Sequence, residues 1–294
     1  MPRPRVTALL GSDDNPALTA QAGADQAAGL RSLLKRRSLR LLAVLGDCET
    51  RAHGACTAQL AVGLARAGHG VLLLDAAGSA MDALALRADG DLADLTYDGG
   101  DFSRITVRGA AGLRAIAARR GLPELIAAEA AGADFFAGFM RLVEPPDLLI
   151  LCLPPLATPD GRLWLPLDGA AGESLLVTTT GERALTAAYA SIKQACVPAA
   201  RTAPSFRILV NGADGERDAR AICRQLSDTA RRFLGGAVGY AGNVPRNARG
   251  QLFGSGAAPP HAEAARAFAR IAADVPGWRL AECMHAPSTA TQTH

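Results

Sequence analysis

The residues between the first two apolar runs of the chain have the layout of a phosphate-binding loop that lacks its lysine. The run 41–45 leads into Gly46, and an Ala- and Leu-rich helical segment follows before the second apolar run at 71–74. Such a loop needs glycines so that its amides can approach phosphate oxygens, a lysine for the β- and γ-phosphates, and a Ser or Thr hydroxyl for Mg²⁺. His53 stands at the lysine position, Gly54 follows it, and both lysines of the chain lie elsewhere. The sequence therefore predicts the framework of a nucleotide-driven protein without its hydrolytic groups.

Composition and cysteine usage favour a cytoplasmic globular protein. The 294 residues are 49% hydrophobic, which is enough for the core of one large α/β domain or of two smaller domains. A net charge of +3 is only mildly basic, so we expect no nucleic-acid partner. The six cysteines form no CxxC pair and the chain has no signal-like start, which indicates reduced thiols in the cytoplasm. No apolar run reaches the roughly 18 residues that a membrane-spanning helix needs.

Short apolar runs recur along the chain and predict a buried sheet. They lie at 41–45, 71–74, 148–153, 174–179 and 206–210. Runs that are apolar on both faces are typical of parallel strands covered by helices on both sides. Further strands are expected at 113–117 and 237–241, and helices at 182–196, 214–234 and 262–275. The predicted fold class is α/β, with a single doubly wound, mainly parallel sheet flanked by helices over residues 41–280.

The two ends of the chain differ in composition from this domain. Residues 1–24 and 281–294 are rich in Ala, Ser, Thr, Asn and Pro, and we expect them to be flexible tails. Residues 25–37 predict a short helix that Asp25 caps, with its apolar positions, including Leu30, on one face. A helix of this length is not stable alone, so it must dock on the domain or on a partner.

Motifs spread over residues 24–275 carry a family resemblance. Residues 25–31 read DQAAGLR, residues 177–193 read VTTTGERALTAAYASIK, and residues 240–246 read YAGNVPR. They resemble the DQAxxLR, VTTPEPTSLTDAYALIK and LGxIPRD segments of the MinD/ParA-type deviant P-loop ATPases, and among these of the flagellar-number regulators called FlhG or FleN. The resemblance implies a P-loop NTPase fold in which Asn211 stands at the strand end that faces adenine.

The departures from this family fall together on its catalytic motifs. Against the family's KGGVGKT loop, residues 48–54 read CETRAHG, so both lysines and the hydroxyl are missing. The DADxG switch keeps Asp75 but has Ala77 in place of its second Asp, and Cys152 takes the position of the Walker-B Asp. The resemblance therefore implies a pseudo-ATPase with no catalytic residue, and implies ATP and Mg²⁺ as ligands only through the family. The degenerate nucleotide-binding positions are Gly46, Arg51, His53, Gly54, Asp75 and Asn211.

Two further chemistries are weaker alternatives. Cys48, His53, Cys56 and Cys152 are residue types that suit zinc, but their spacing matches no standard zinc motif, so no metal is expected. The family's C-terminal helix binds membrane, whereas the corresponding helix at 262–275 has a mostly alanine face that would bury little area in a bilayer. We therefore expect this helix to pack on the core, with weak or no membrane association.

The resemblance also implies a function for the N-terminal element. In the family this element engages the SRP-type GTPase FlhF and stimulates its hydrolysis, which would make Asp25, Gln26, Leu30 and Arg31 the partner-binding residues. The predicted function is a regulator of flagellar number or placement, located in the cytoplasm or peripherally at the inner membrane or cell pole. Flagellar transcription regulators or switch proteins are further expected partners.

Two alternatives for the function stay open. One is a functional ATP-binding MinD/ParA-type ATPase that cycles between a monomer and a membrane-associated dimer. The other is a different accessory factor of this type, in cellulose secretion or partitioning, although such relatives are not expected to carry the DQAxGLR element.

Overall fold

The computed structural model describes residues 39–46, 50–95, 102–127, 144–154, 172–196, 205–235, 237–254 and 259–283. The strands are β1 Leu39–Gly46, β2 Val71–Asp75, β3 Thr106–Arg108, β4 Arg114–Ala117, β5 Leu148–Cys152, β6 Glu173–Thr179, β7 Ser205–Asn211, β8 Ala237–Val244 and β9 Ala281–Cys283. The helices are α1 Thr50–Arg66, α2 Ser79–Ala83, α3 Phe102–Ile105, α4 Gly121–Ala127, α5 Glu182–Cys196, α6 Glu216–Leu234 and α7 Ala262–Asp274. Single 3-10 turns follow β3 at Ala110–Gly112 and α7 at Val275–Gly277.

The nine strands of the described residues belong to one sheet, which is mainly parallel. Its order is β3-β4-β2-β5-β1-β6-β7-β8, and β9 pairs with β1 outside this path. Among the described strands, only β3 and β9 run antiparallel to their neighbours. The central strands β2 and β5 are buried along their whole length, as expected for parallel strands covered on both faces. The doubly wound α/β fold predicted from the sequence is confirmed.

Helices cover both faces of the sheet. Alternate residues of each strand point to opposite faces, so each face carries apolar side chains that pack against helices. In β1, Leu41 and Leu45 face the core that contains apolar residues of α5 and α6, whereas Leu42 and Val44 face the core that contains those of α1 and α7. Helix α6 buries one stripe made of Ala219, Cys223, Leu226 and Ala230. These two cores hold the strand ends in place and so position the site described below.

Helix α7 packs on the core of the domain. Its buried side chains are Ala264, Ala267, Phe268, Ile271 and Ala272. The Phe268 ring meets the Phe253 ring edge-on, with 5.1 Å between their centroids. Among the described helices, none combines the length and apolar character that crossing a bilayer requires.

The end of the domain differs from the prediction. Residues 281–294 were expected to form a flexible tail, but Ala281–Cys283 form β9, which pairs antiparallel with Leu39–Leu41. The Arg40 guanidinium secures this end by donating to the carbonyl oxygens of Pro276 and Trp278, at 3.1 and 3.0 Å. A three-residue strand is stabilised by its partner strand, so composition alone did not indicate it. The expected tail at 1–24, the element at 25–37 and residues 284–294 lie outside the described residues.

Candidate functional site

The carboxyl ends of the central strands bring the predicted site residues to one edge of the sheet. Both Val44 of β1 and Asp75 of β2 lie in register with Cys152 of β5. Gly46 ends β1, and α1 begins four residues later at Thr50. In open α/β sheets, ligands bind outside the carboxyl ends of the strands, so this edge is the candidate site.

His53 lies in the first turn of α1 and points into the protein. Its side chain is 1% exposed, and its Nε2–H donates to the carbonyl oxygen of Val44 at 3.2 Å. The Cys152 Sγ lies 3.9 Å from the same nitrogen. A Cβ added to Gly46 would lie 2.7 Å from the His53 Cγ, so the imidazole requires glycine at that position. The ring therefore fills the space between the end of β1 and the start of α1.

The His53 imidazole is neutral in the folded protein. Burial lowers its pKa from the ordinary 6.5 to about 4, and the hydrogen bond with Val44 opposes this shift only in part. A phosphate-binding lysine acts through a positive charge at the end of a long flexible arm. His53 supplies neither the charge nor the reach.

The position after His53 is also closed to a side chain. A Cβ added to Gly54 would lie 2.5 Å from the carbonyl carbon of Ser79, which belongs to the first turn of α2. Real Cβ atoms do not approach backbone that closely, so only glycine fits here unless the loop before α2 moves. The Ser79 side chain thus takes the space that a Mg²⁺-binding Ser or Thr at position 54 would need.

Asp75 and Cys152 are buried at this edge, where they end β2 and β5. Asp75 is 1% exposed and accepts from the backbone amides of Gly78 at 2.8 Å and Met81 at 2.7 Å. Burial raises the pKa of the Asp75 carboxyl, and these hydrogen bonds oppose the shift. Burial and the neighbouring Asp75 raise the pKa of the Cys152 thiol well above its usual value, so the thiol is protonated. A protonated, fully buried thiol is neither a nucleophile nor a ready metal ligand.

The residues predicted as a metal-site alternative do not form one in the described part of the chain. No group of three or more His, Cys, Asp or Glu side chains there is arranged to hold a metal ion. Cys56 is buried on α1, and Cys48 lies outside the described residues.

Asn211 ends β7 and binds the chain itself. Its side chain is fully buried, and its Nδ2 donates to the carbonyl oxygen of Phe253 at 2.9 Å. A Cβ added to the next residue, Gly212, would collide with Leu252. The amide that the sequence resemblance assigns to adenine is therefore engaged by the loop that follows β8.

Arg246 holds this loop in place. Its guanidinium donates to the carbonyl oxygens of Gly212 at 2.9 Å and Gly250 at 3.1 Å, and to the Thr180 Oγ1 at 3.2 Å. The far end of the loop rests on α1, where a Cβ added to Gly254 would lie 3.1 Å from the Cα of Ala52. We did not predict this covering loop from the sequence, because Leu252 and Phe253 carry no motif.

The remaining predicted residues divide into two groups. Arg51 lies in the first turn of α1 with its side chain exposed, at the rim of the edge. The predicted partner-binding residues Asp25, Gln26, Leu30 and Arg31 lie outside the described residues. The six predicted nucleotide-site positions and Cys152 lie at the same edge of the sheet, and their role in nucleotide binding stays a prediction.

The residues at this edge do not fit Mg²⁺-ATP. The lysine position holds a buried neutral imidazole, and the hydroxyl position holds a glycine that contacts Ser79. The Walker-B position holds a protonated thiol. None of these three groups carries the positive charge or the oxygen ligand that phosphate or magnesium would need at the positions that the sequence resemblance assigns to them.

Fold and strand-edge geometry place the chain in the class of P-loop nucleoside triphosphatase folds. Similar solved structures include MinD and ParA ATPases. MinD from Aquifex aeolicus has a TM-score of 0.58 and 18% identity, over 81% of this chain and 97% of that one. A ParA family ATPase from Chlorobium tepidum has a TM-score of 0.54 and 16% identity, over 81% and 99%. MinD from Pyrococcus horikoshii, solved with Mg-ADP, has a TM-score of 0.53 and 19% identity, over 81% and 96%.

At these identities the likeness shows the fold alone. No protein-family model matches the chain. No curated protein matches it either. The predicted MinD/ParA-like fold is thus confirmed, whereas the closer resemblance to FlhG stays a prediction.

Proposed function

We propose that this protein is a regulator of flagellar number or placement that has lost ATP hydrolysis and acts through its N-terminal element on an FlhF-type GTPase. The proposal has two parts. The first concerns the strand-edge site and draws on the geometry of the described residues. The second concerns residues 25–37 and draws on the sequence resemblance.

The filled site is the observation that carries the first part. The His53 ring needs glycine at position 46, and Ser79 needs glycine at position 54, so the side chains and the glycines beside them are mutually adapted. Phosphoryl transfer depends on positioning and on stabilising the transferred charge, and neither is available at this edge. The scaffold around it keeps a complete apolar core, which favours a role that needs the fold but not the reaction.

The second part follows from the retained DQAAGLR element. A pseudo-ATPase still needs a means of acting on its partner, and a short amphipathic segment ahead of the domain supplies one. Leu30 is the expected apolar anchor, and Gln26 and Arg31 are the expected polar contacts. Because a segment that orders on binding loses conformational entropy, its affinity should depend on these few residues.

The test is the GTP hydrolysis rate of the cognate FlhF-type GTPase in the presence of the full chain. We expect stimulation by the full chain, loss of stimulation on deletion of residues 1–34, and partial stimulation by a peptide that spans residues 20–38. Leu30→Ala in the full chain should reduce stimulation by at least about tenfold, the range expected for an interface anchor. Arg36→Ala lies outside the motif and serves as the matched control, with stimulation unchanged.

Two results would contradict this assignment. Equal stimulation by the deleted and full chains would show that the element is not the effector. Equal loss in Leu30→Ala and Arg36→Ala would show that the DQAAGLR residues have no special role within the segment. The thermal midpoint of each variant, compared with that of the full chain, separates loss of function from loss of fold.

The alternatives differ in what they require of the strand edge. A working ATPase that cycles to a membrane-associated dimer would need the His53 ring and the Ser79 loop to withdraw, and Arg51 to supply the missing positive charge. A cellulose-secretion or partitioning factor would not use the DQAAGLR element. Stimulation of an FlhF-type GTPase that depends on Leu30 distinguishes our proposal from both.

A further inference from the structure

The loop and helix that follow β2 are fixed to the rest of the domain by hydrogen bonds and packing within the chain. We define residues 76–83 as the lid. At its start, the backbone amides of Ala76 and Ala77 both donate to the carbonyl oxygen of Cys152, at 3.0 and 3.1 Å. The lid thereby extends the pairing of β2 with β5 past the last strand residue.

A second set of bonds closes the turn of the lid. The Asp75 carboxylate accepts from the amides of Gly78 and Met81, one on each side of the start of α2. Gly78 has a φ of 77°, in the left-handed region that favours glycine. Met81 is 6% exposed and belongs to the core that also contains α1 and α7. One buried carboxylate therefore fixes both the turn and the helix.

The third restraint is the contact between the lid and α1. Ser79 lies directly over Gly54, with its backbone and side chain in the space that a Cβ at position 54 would occupy. The Ser79 Oγ is buried within this contact. The Ser79 side chain also lowers the pKa of the Cys152 thiol, in opposition to the larger effect of burial. Glycine at position 54 is thus the condition for the lid to lie against α1.

The segment after the lid is held at its far end as well. The Leu86 amide donates to the carbonyl oxygen of Met81 at 3.0 Å. A Cβ added to Gly109 would lie 3.3 Å from the Leu86 Cδ1, so Leu86 rests on the turn after β3. The lid is thus restrained at its start, at its turn, over α1 and beyond its end.

We propose that the lid is a permanently closed form of a nucleotide-sensing loop, and that Gly54 and Ser79 hold it closed. In nucleotide-driven switches, the corresponding change is an ordering of loops by the γ-phosphate and its Mg²⁺. Here the same ordering is achieved by Asp75, by the Cys152 carbonyl and by the packing of Ser79 on Gly54. The protein consequently has one state at this edge, and ATP does not control it. This inference goes beyond the proposed function and holds whether or not the N-terminal element acts on a GTPase.

Amide hydrogen exchange of the full chain tests the inference. We expect the amides of Ala76, Ala77, Gly78 and Met81 to exchange slowly in the free protein and at an unchanged rate after addition of Mg-ATP. Rapid exchange in the free protein, or slowing by Mg-ATP, would overturn the proposal. This measurement needs no variant and so does not depend on the folding of a mutant.

A substitution at position 54 tests the part played by glycine. Gly54→Ala should force the lid away from α1 and raise the exchange rates of the lid amides by about tenfold or more, as expected when a local closed structure opens. Gly181→Ala is the matched control, because nothing lies within 4 Å of the added Cβ, and it should leave these rates unchanged.

The outcomes separate this inference from the proposed function. Unchanged lid exchange in Gly54→Ala would refute the role of Gly54, even if GTPase stimulation by the full chain is observed. A uniform rise in exchange throughout the Gly54→Ala domain would show that the contact serves the whole fold rather than the lid. Neither result bears on the N-terminal element.

Discussion

Replacing Cys152 with Asp restores the Walker-B carboxylate of related ATPases and, in this chain, should destabilise the fold. Cys152 is fully buried in β5, its thiol is 3.9 Å from the neutral His53 ring, and Asp75 is its register partner in β2. A new carboxylate would be desolvated beside an existing one, so either it or the His53 imidazole must take up a proton on folding. The isosteric and neutral variant Cys152→Asn is the matched control.

The size of the effect follows from the proton that the folded Asp variant must bind. An unfolded Asp ionises near pH 3.9, and each pH unit above this value costs about 1.4 kcal/mol if the folded state stays protonated. The difference in unfolding free energy between the Asp and Asn variants should thus be near zero at pH 4 and reach about 4 kcal/mol at pH 7. The difference in unfolding free energy has the same pH dependence whether the carboxylate or His53 binds the proton. In either case the folded Asp variant holds one proton more than the folded Asn variant.

Urea unfolding of both variants at several pH values between 4 and 7.5 measures this difference. The expected result is a gap that widens with pH and removes a large part of a typical domain stability of about 5–15 kcal/mol. A gap that does not depend on pH, or equal midpoints at pH 7, would show that position 152 is hydrated. In that case the description of a filled and dry strand edge would be refuted.

Three further predictions concern the same edge. Burial lowers the pKa of His53 from 6.5 to about 4, so the stability that the neutral ring contributes is present above pH 6.5 and is lost as the pH falls to 4. In urea unfolding, the unfolding free energy of wild type should fall by about 3 kcal/mol relative to that of His53→Gln over this range. Parallel plots of unfolding free energy against pH for the two proteins would contradict the burial of a neutral ring. Phosphate release from Mg-ATP should stay at background in wild type and in the double variant His53→Lys, Gly54→Thr, because Ser79 occupies the space of the new Thr side chain. ATP turnover by the double variant would refute this steric argument. Asn211→Ala should cost about 1–3 kcal/mol in urea unfolding by leaving the Phe253 carbonyl without its donor, and a neutral effect would show that water replaces the amide.

The sequence predicted those parts of the fold that depend on long apolar patterns. Helix α5 has the predicted bounds, Glu182–Cys196, and the strand expected at 113–117 is β4 at Arg114–Ala117. The short antiparallel strands β3 and β9 were missed, because three residues carry no pattern and gain their conformation from a partner strand. Helix α2 was also missed, since it depends on the Asp75 carboxylate rather than on its own five residues.

The candidate site could be located from the sequence but not described. The sequence pattern predicts that Gly46, His53 and Asp75 lie at one edge of the sheet, because the carboxyl ends of parallel strands meet there, and their role in nucleotide binding stays a prediction. The inward orientation of the His53 ring could not be predicted, since it depends on the space left by glycine at position 46. The contact of Ser79 with Gly54 joins residues from different elements, and it became visible only once the fold brought them together.

Calorimetric titration of the purified full chain with Mg-ATP, and in parallel with Mg-ADP, tests the central claim most directly. A site filled by the His53 ring, by Ser79 and by the loop at Phe253 should give no saturable heat for either nucleotide up to about 1 mM, which corresponds to a binding free energy weaker than about −4 kcal/mol. Saturable one-to-one binding of Mg-ATP with a Kd below about 1 mM would contradict the account, because the described side chains would then have to leave the site.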